Sequence, residues 1–200
     1  MNFKELIDCE ISERDKYISR VFGVFSEKIA EIYFKSGYSE YESLGRPTLY
    51  KINDKKGYTL DFTLKNRKTS EFYICEMKCE LQYENCKYLE LSKSNQIKHH
   101  EDNKKAFQYF LDIPQNASNY RVEIKSTKEE IKPAGIILLW GKISNDKNAI
   151  DAVKTNYKIT EILSLEDMIN TMVEKNYDKY FDFVKERIEW SKYLFDNLLR

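Results

Sequence analysis

The sequence predicts a mixed α/β (α+β) domain, in which a mixed central sheet is flanked by helices. Three observations predict it: an N-terminal segment with apolar residues at helical spacing, two segments that alternate apolar and polar residues, and a dense apolar run at 134–140. The order helix, hairpin, helix, strand, helix is typical of helices packed over a mixed sheet.

The first helix is predicted at 13–35, because its apolar residues recur every three or four positions and stack on one face. A short extended segment follows at 48–52. Residues 58–64 and 72–79 alternate strictly around the polar turn 65–70, which predicts a hairpin. The residues of the helical stripe are Ile18, Phe22, Phe25, Ile29 and Ile32.

A second helix is predicted at 94–111, followed by a polar, irregular segment at 112–132 with one strand near 120–125. The apolar run at 134–140 is typical of a strand buried on both faces. A further strand is predicted at 157–163. Ser164 then resembles an N-cap with acids in the first turn of a helix, and the tail to Arg200 is predicted to be helical.

Composition bounds the class of protein. The chain has 200 residues, 42% of them apolar, which is enough for one core. Its 33 basic and 33 acidic residues cancel, which excludes a histone-like protein but leaves local charged patches open. We expect a principal domain at 1–163, with the C-terminal helices at 164–200 packed on it.

The sequence gives no sign of export or of membrane insertion. The N-terminal residues lack the apolar core of a signal peptide, and the longest apolar run, 136–140, is too short to cross a bilayer. The spacing of Cys9, Cys75, Cys79 and Cys86 is unlike a disulfide framework. We therefore expect a reduced, soluble, cytoplasmic protein with no membrane partner and no small-molecule cofactor.

The predicted hairpin gathers the residues that could carry chemistry. If Asp61 faces Glu76, the hairpin buries one apolar face and brings Asp61, Glu76 and Lys78 together on the other, and a slip of one residue would invert both faces. That register implies the pairs Thr59–Lys78, Leu60–Met77, Phe62–Cys75, Thr63–Ile74 and Leu64–Tyr73.

Two facing carboxylates about 5 Å apart repel each other unless a cation lies between them, and oxygen ligands suit Mg²⁺. Lys78 shares a strand face with Glu76, so it could orient or activate a water beside a bound metal. The alternative interpretation is a solvent-facing strand with ordinary charges.

Two helical positions extend this candidate site. Glu27 has Gly23, Ala30 and Phe34 at helical spacing, so its side of the helix is expected to pack, and a buried carboxylate needs a partner such as a metal. The alternative is an exposed acid, with Glu31 as the second candidate.

Gln96, near the start of the second helix, could reach a phosphate or a metal-bound water. His99 and His100 diverge by about 100° on a helix, which favours surface or packing roles for them. Cys75 and Cys79 lie on the apolar strand face, and we expect them in the core rather than on zinc.

An Asp followed by Glu-x-Lys, here Asp61 and 76–78, resembles the signature of the PD-(D/E)xK nucleases. Several segments, in order over about 20–140, resemble the RecU-type Holliday-junction resolvases of that superfamily. They are Gly23–Glu27, Arg46-Pro47-Thr48 with Ile52, Leu60-Asp61-Phe62, Tyr73–Lys78, Leu91–Ile97 and Ala134–Ile137. The chain departs from the resolvases in its zero net charge, the apparent insertion at 112–132 and the long helical tail.

The resemblance implies a restriction-endonuclease-like fold and a DNA endonuclease that depends on Mg²⁺ or Mn²⁺ and leaves a 5′-phosphate. It implies metal ligation by Asp61, Glu76, the Met77 carbonyl and Glu27. Lys78 and Gln96 would complete the catalytic set. Two symmetric cuts need two active sites, so a homodimer is expected.

DNA is expected to contact a basic patch, because phosphate contacts dominate nucleic-acid affinity. The alternative for these side chains is a solvated loop. The patch comprises Arg46, Lys51, Lys55, Lys56, Lys65, Arg67 and Lys68.

Two other functions remain open from the sequence. One is a restriction or defence-type endonuclease of the same superfamily, because a shared core does not determine the substrate. The other is a non-catalytic protein that keeps the fold and binds nucleic acid or a partner.

Overall fold

A computed structural model describes residues 11–82 and 87–198, so Cys9 and Cys86 lie outside the described residues. The described helices are α1 Ile11–Lys35, α2 Ser94–Asn103, α3 Lys105–Asn116, α4 Lys147–Tyr157, α5 Leu165–Glu174 and α6 Asp178–Leu198. The described strands are β1 Tyr41–Ser43, β2 Pro47–Lys51, β3 Tyr58–Thr59, β4 Phe62–Asn66, β5 Phe72–Lys78, β6 Leu81–Gln82, β7 Lys87–Tyr88, β8 Glu90–Leu91, β9 Tyr120–Ile124, β10 Glu130–Ile131, β11 Pro133–Trp140, β12 Lys142–Ile143 and β13 Glu161–Ser164.

The central sheet has five strands in the order β1-β4-β5-β11-β13. Strand β4 pairs antiparallel with β1 on one side and with β5 on the other. Strand β11 lies parallel to both β5 and β13. The predicted mixed α/β fold, with helices over a mixed central sheet, is therefore confirmed. The apolar segment predicted at 134–140 is the inner strand β11, and Ile136 to Trp140 are fully buried.

Both faces of this sheet are covered, because successive side chains of a strand point to opposite sides. Cys75 and Met77 of β5 face a first core, which Phe34 of α1 and Leu165 of α5 complete. Ile74 faces a second core on the other side. The remaining members of the second core include Leu60, Ile97, Phe107, Phe110, Leu138, Trp140 and Val153.

A second, four-stranded sheet has the order β10-β9-β2-β3 and is antiparallel throughout. Two of its strands, β9 and β10, lie in the segment predicted to be irregular at 112–132, which begins with the end of α3 and a short 3₁₀ helix at Ala117–Asn119. That prediction was wrong in its extent, because Val122, Ile124 and Ile131 alternate into the second core. The predicted strand at 120–125 corresponds to β9.

The strand predicted at 58–64 is divided between the two sheets. Thr59 pairs with Thr48 in the second sheet, and the Leu60 amide donates to the Pro47 carbonyl at 3.0 Å. The chain then bends at Asp61 and enters β4. The predicted pairs Thr59–Lys78 and Leu60–Met77 therefore do not form, and Leu60 belongs to the second core rather than to the face of Phe62.

The helices also differ from the prediction. The helix predicted at 94–111 is interrupted at Lys104, whose backbone is extended (φ −136°, ψ 110°), so α2 and α3 are separate. The sequence interpretation missed α4, which begins after Asp146, whose side chain accepts hydrogen bonds from the amides of Asn148 and Ala149. The strand predicted at 157–163 is consequently shortened to β13.

The helical tail is confirmed for the described residues. The Ser164 hydroxyl accepts a hydrogen bond from the Asp167 amide at 3.1 Å, which is the predicted N-cap. Met168 of α5 is buried in the first core, and Phe183 of α6 meets Phe25 of α1 edge to face. No helix among residues 11–82 and 87–198 is long and apolar enough to cross a membrane.

Candidate active site

Asp61 lies where the chain passes from the second sheet to the central sheet. One carboxylate oxygen, Oδ2, accepts a hydrogen bond from the Met77 amide at 2.8 Å. The other, Oδ1, accepts from Arg46 Nη2 at 3.1 Å. The predicted hairpin register is confirmed from Phe62 onward, since Phe62 pairs with Cys75 and Thr63 with Ile74, and Asp61 lies just before the first of these pairs. This register brings Asp61 beside the end of β5.

Glu76 and Lys78 point to the opposite side of β5 from Met77, toward the second core. The Lys78 ammonium forms an ion pair with Glu76 Oε1, donates to the Met77 carbonyl at 3.1 Å and lies 5.1 Å from the centre of the Phe107 ring. The two charged side chains are only 11% and 10% exposed. The alternative interpretation, a solvent-facing strand, is therefore wrong, because α3 covers this face.

The second oxygen of the Glu76 carboxyl group is unusual. Glu76 Oε2 is buried and has no hydrogen-bond partner within the part of the chain that the structure describes. Burial raises the pKa of Glu76 to about 7, the Lys78 ammonium opposes this shift, and the Asp61 carboxylate adds to it. A buried polar atom without a partner is costly, so this oxygen is available for a ligand.

Glu27 of α1 completes the group from the helix side. Its Oε1 accepts from Arg46 Nη1 at 3.2 Å. Partial burial raises the pKa of Glu27, and the Arg46 guanidinium opposes that shift. Glu31 instead pairs with Lys28 and Lys35 on the helix surface. Of the two candidate helix acids, Glu27 is therefore the one that lies beside Asp61.

We call Glu27, Arg46, Asp61, Glu76 and Lys78 the acid–base cluster. Three carboxylates and two cations give it a formal charge of −1. Carboxylate and carbonyl oxygens are the ligands that hard divalent cations prefer, and the unpaired Glu76 oxygen matches such a ligand set. However, no three His, Cys, Asp or Glu side chains among the described residues are arranged to hold a metal, and donors of the chain occupy both Asp61 oxygens.

The Gln96 side chain forms hydrogen bonds with backbone groups. Its Oε1 accepts from the amides of Ser92 and Lys93 at 2.9 Å, and its Nε2 donates to the Glu90 carbonyl at 2.9 Å. These bonds fix the segment between β8 and α2. In this arrangement Gln96 supports a loop, and its predicted direct contact with a phosphate or a water stays a prediction.

The structure divides the predicted basic patch among three places. Arg46 belongs to the acid–base cluster. Lys51, Lys55 and Lys56 lie at or beyond the far end of β2, where the Lys51 ammonium lies 5.9 Å from the centre of the Tyr109 ring and the Lys56 ammonium lies 5.5 Å from that of Tyr58.

Lys65, Arg67 and Lys68 lie near the turn between β4 and β5. Seven residues of β5 separate this turn from Lys78, which is roughly 20 Å. Arg67 lies 3.8 Å from Glu42, and Lys68 lies 2.7 Å from Glu40. The turn therefore does not extend the surface of the acid–base cluster, because it lies at the other end of the hairpin.

The remaining candidates have packing roles. The His100 ring is buried against Phe107 and Trp140, as the prediction of a packing role required. Cys75 is fully buried, and burial raises the pKa of its thiol. Burial likewise raises the pKa of Cys79 to about 12. Such protonated thiols are poor metal ligands.

The sequence interpretation missed the position of Arg46, which was assigned only to DNA contact. Its guanidinium joins the helix acid to the strand acid, and its Nε donates to the Leu60 carbonyl at 3.1 Å. The motif Arg-Pro-Thr drew attention to this residue but did not indicate its partners. These are Glu27 of α1 and Asp61, which lies on the connection from β3 to β4.

Comparisons of this chain with protein-family models, with curated proteins and with solved structures find no match.

Proposed function

We propose that this protein is a metal-dependent DNA endonuclease that hydrolyses phosphodiester bonds at the acid–base cluster. The observation that carries the proposal is the meeting of Asp61, Glu76 and Lys78 at the ends of neighbouring strands, with one buried Glu76 oxygen left without a protein donor. The order of motifs that resembles the RecU-type resolvases supports the same chemistry.

Asp61, Glu76, the Met77 carbonyl and Glu27 would hold the metal. When bound, Mg²⁺ or Mn²⁺ polarises the scissile phosphate and stabilises the leaving 3′ oxygen, which leaves a 5′-phosphate on the product. The Lys78 ammonium is held by Glu76 and by the Met77 carbonyl. From that position it orients the attacking water.

The direct test is cleavage of DNA by the purified chain in Mg²⁺ or Mn²⁺. Asp61→Ala, Glu76→Ala and Lys78→Ala should each reduce the rate about 100-fold or more. Lys142→Ala is a matched control, because Lys142 lies 3.8 Å from Glu166 in a half-exposed pair and should leave the rate unchanged. Full activity in any of the three site variants would remove that residue from the proposed mechanism.

The finer proposal is a cytoplasmic junction resolvase that acts in recombination or repair. A mobile four-way junction assayed beside linear duplexes tests it, because a resolvase cuts the junction preferentially and symmetrically. Preferential cleavage of linear duplex would instead favour a restriction or defence-type endonuclease. Tight DNA binding without metal-dependent cleavage would favour the non-catalytic alternative.

We further infer a homodimer formed through α6. One face of this helix carries a groove of about 420 Å³ that contains Phe181, Val184 and Ile188, and Phe181 and Ile188 are 42% and 51% exposed. Beside it runs a line of alternating charges. They are Asp182, Lys185, Glu189 and Lys192.

This line is complementary to itself when two helices pack antiparallel. Glu189 of each copy then comes within reach of Lys185 of the other, and Asp182 within reach of Lys192. A two-fold axis perpendicular to the helix produces this antiparallel packing of the same surface. The proposed occupant of the groove is therefore a second copy of this chain.

Sedimentation velocity of the full chain tests this interface. We expect a dimer at micromolar concentration, weakened several-fold by Glu189→Lys and restored by combining Glu189→Lys with Lys185→Glu. A monomer at all concentrations would overturn the interface and would count against symmetric junction cleavage. A dimer that is insensitive to both variants would move the interface to another surface.

A further inference from the structure

Arg46 combines a fixed backbone with a partly exposed head group. Gly45 precedes it with φ +104°, a conformation that strains any residue with a side chain. The Gly45 carbonyl accepts from the Thr63 amide at 2.6 Å, and the Arg46 carbonyl accepts from the Lys125 amide at 2.8 Å. The Arg46 side chain is nevertheless 44% exposed.

The guanidinium lies where the predicted metal ligands converge. It binds Glu27 Oε1 at 3.2 Å and Asp61 Oδ1 at 3.1 Å, and both of these acids are proposed ligands. An oxygen that accepts from a guanidinium at this distance offers less of its charge to a second cation. Arg46 therefore competes for oxygens that a metal would use.

We propose that Arg46 is an exchangeable internal cation, which neutralises Glu27 and Asp61 in the metal-free protein and turns toward the DNA phosphate when a divalent cation takes its place. This proposal rests on the proposed nuclease function and concerns its regulation. Arg46 and Lys78 then have different roles, because Lys78 remains paired with Glu76 both before and after the divalent cation binds.

The formal charges support the exchange. With Arg46 in place, three carboxylates face two single positive charges. With a divalent cation in place of Arg46, the three carboxylates are balanced by Lys78 and the cation, and one guanidinium is released. Planar, bidentate recognition of phosphate is a characteristic use of arginine, so the released group lies beside the site where a phosphate must bind.

The exposure of the Arg46 and Glu27 side chains lowers the free-energy cost of separating them. Ion pairs between half-exposed side chains contribute little to stability, because solvent screens them. Glu27 is 36% exposed and Arg46 is 44% exposed, whereas Asp61 is 16% exposed, so the contact of Arg46 with Glu27 costs less to break than its contact with Asp61. The Lys78–Glu76 pair is too buried to separate at a similarly small cost.

The test is Mn²⁺ binding to the full chain without nucleic acid, measured from the electron paramagnetic resonance signal of free Mn²⁺. Arg46→Gln should bind Mn²⁺ about fivefold more tightly or better, because it removes the competing charge. Arg46→Lys keeps the charge and should stay close to the unmodified chain. Arg121→Gln is the control, because Arg121 is similarly half-exposed and pairs with Glu123 in the second sheet.

Affinity for a phosphate backbone supplies a second measurement. In Mn²⁺, Arg46→Gln should bind a DNA duplex several-fold more weakly than the unmodified chain, whereas Arg121→Gln should not. Circular dichroism establishes that each variant is folded. Equal or weaker Mn²⁺ binding by a folded Arg46→Gln variant would overturn the proposal.

The outcomes separate this proposal from the nuclease function. Tighter Mn²⁺ binding by Arg46→Gln, without DNA cleavage by the unmodified chain, would uphold the exchange and reject the nuclease. DNA cleavage with unchanged Mn²⁺ affinity in Arg46→Gln would reject the exchange alone. An absence of Mn²⁺ binding in every variant would overturn both.

Discussion

The acid–base cluster contains two ion-paired regions that differ in their access to solvent. In the first, Lys78 and Glu76 are each about one-tenth exposed, and the Lys78 ammonium lies over the ring of Phe107. In the second, the half-exposed Arg46 bridges Glu27, which is 36% exposed, and Asp61, which is 16% exposed. Similar charges thus differ in their setting: the pair of Lys78 and Glu76 is enclosed, whereas the bridging guanidinium of Arg46 is the group that we propose to exchange partners.

The largest effect is expected from breaking the buried pair. Lys78→Met should lower the free energy of unfolding by about 3 kcal/mol at pH 8, because it leaves the Glu76 carboxylate buried without its cation. Urea denaturation measures this loss. Combining Lys78→Met with Glu76→Leu should recover most of it, since a buried ion pair can be replaced by apolar groups. A small loss in the single variant would show that water reaches Glu76.

The next effect is a pH dependence that Glu76 introduces. Because its folded-state pKa is raised to about 7, the folded chain holds a proton that the unfolded chain loses near pH 4.5. The contribution of Glu76 to stability therefore falls as the pH rises from about 4.5 to 7, by up to about 3 kcal/mol. Urea denaturation at pH 5 and pH 8 measures it.

Glu76→Gln is the control for this dependence, because the amide cannot titrate and can still accept from Lys78. The difference in unfolding free energy between the unmodified chain and Glu76→Gln should change between the two pH values. A constant difference would place the titration on another group, such as Glu27, whose pKa is also raised by burial.

The smallest effect is expected from the exposed region. A double-mutant cycle with Arg46→Gln and Glu27→Gln should give a coupling energy below about 1 kcal/mol, which decreases further in 1 M NaCl. The same cycle for Lys78 and Glu76 should be larger and less sensitive to salt. Equal coupling energies and equal salt dependence in both cycles would remove the distinction between the two regions.

The hairpin could be predicted because the alternation of apolar and polar residues lies within two neighbouring segments of the sequence. Alternation with a period of two fixes which residues of β4 and β5 can share a face, and this determined the pairing of Phe62 with Cys75. The dense apolar composition of β11 likewise indicated a strand with two covered faces. Three of the cluster residues, Asp61, Glu76 and Lys78, followed from this local pattern.

The rest depends on contacts between segments that are distant in sequence. The strands β3 and β10 have two residues each, which is too short to produce an alternation, so the second sheet was not apparent. Gln96 could bond a phosphate or its own backbone, and the sequence did not distinguish these partners. The position of Arg46 depends on where α1 lies relative to both sheets.

The two sheets share a feature that bears on the geometry of the acid–base cluster. Arg46 lies on the connection from β1 to β2, which leaves the central sheet, and Asp61 lies on the connection from β3 to β4, which returns to it. The separation of these two side chains therefore depends on how the two connections lie against each other, and the hydrogen bond from the Leu60 amide to the Pro47 carbonyl joins them. A substitution that shifts either connection would therefore alter the guanidinium bridge, even when the substituted residue lies outside the acid–base cluster.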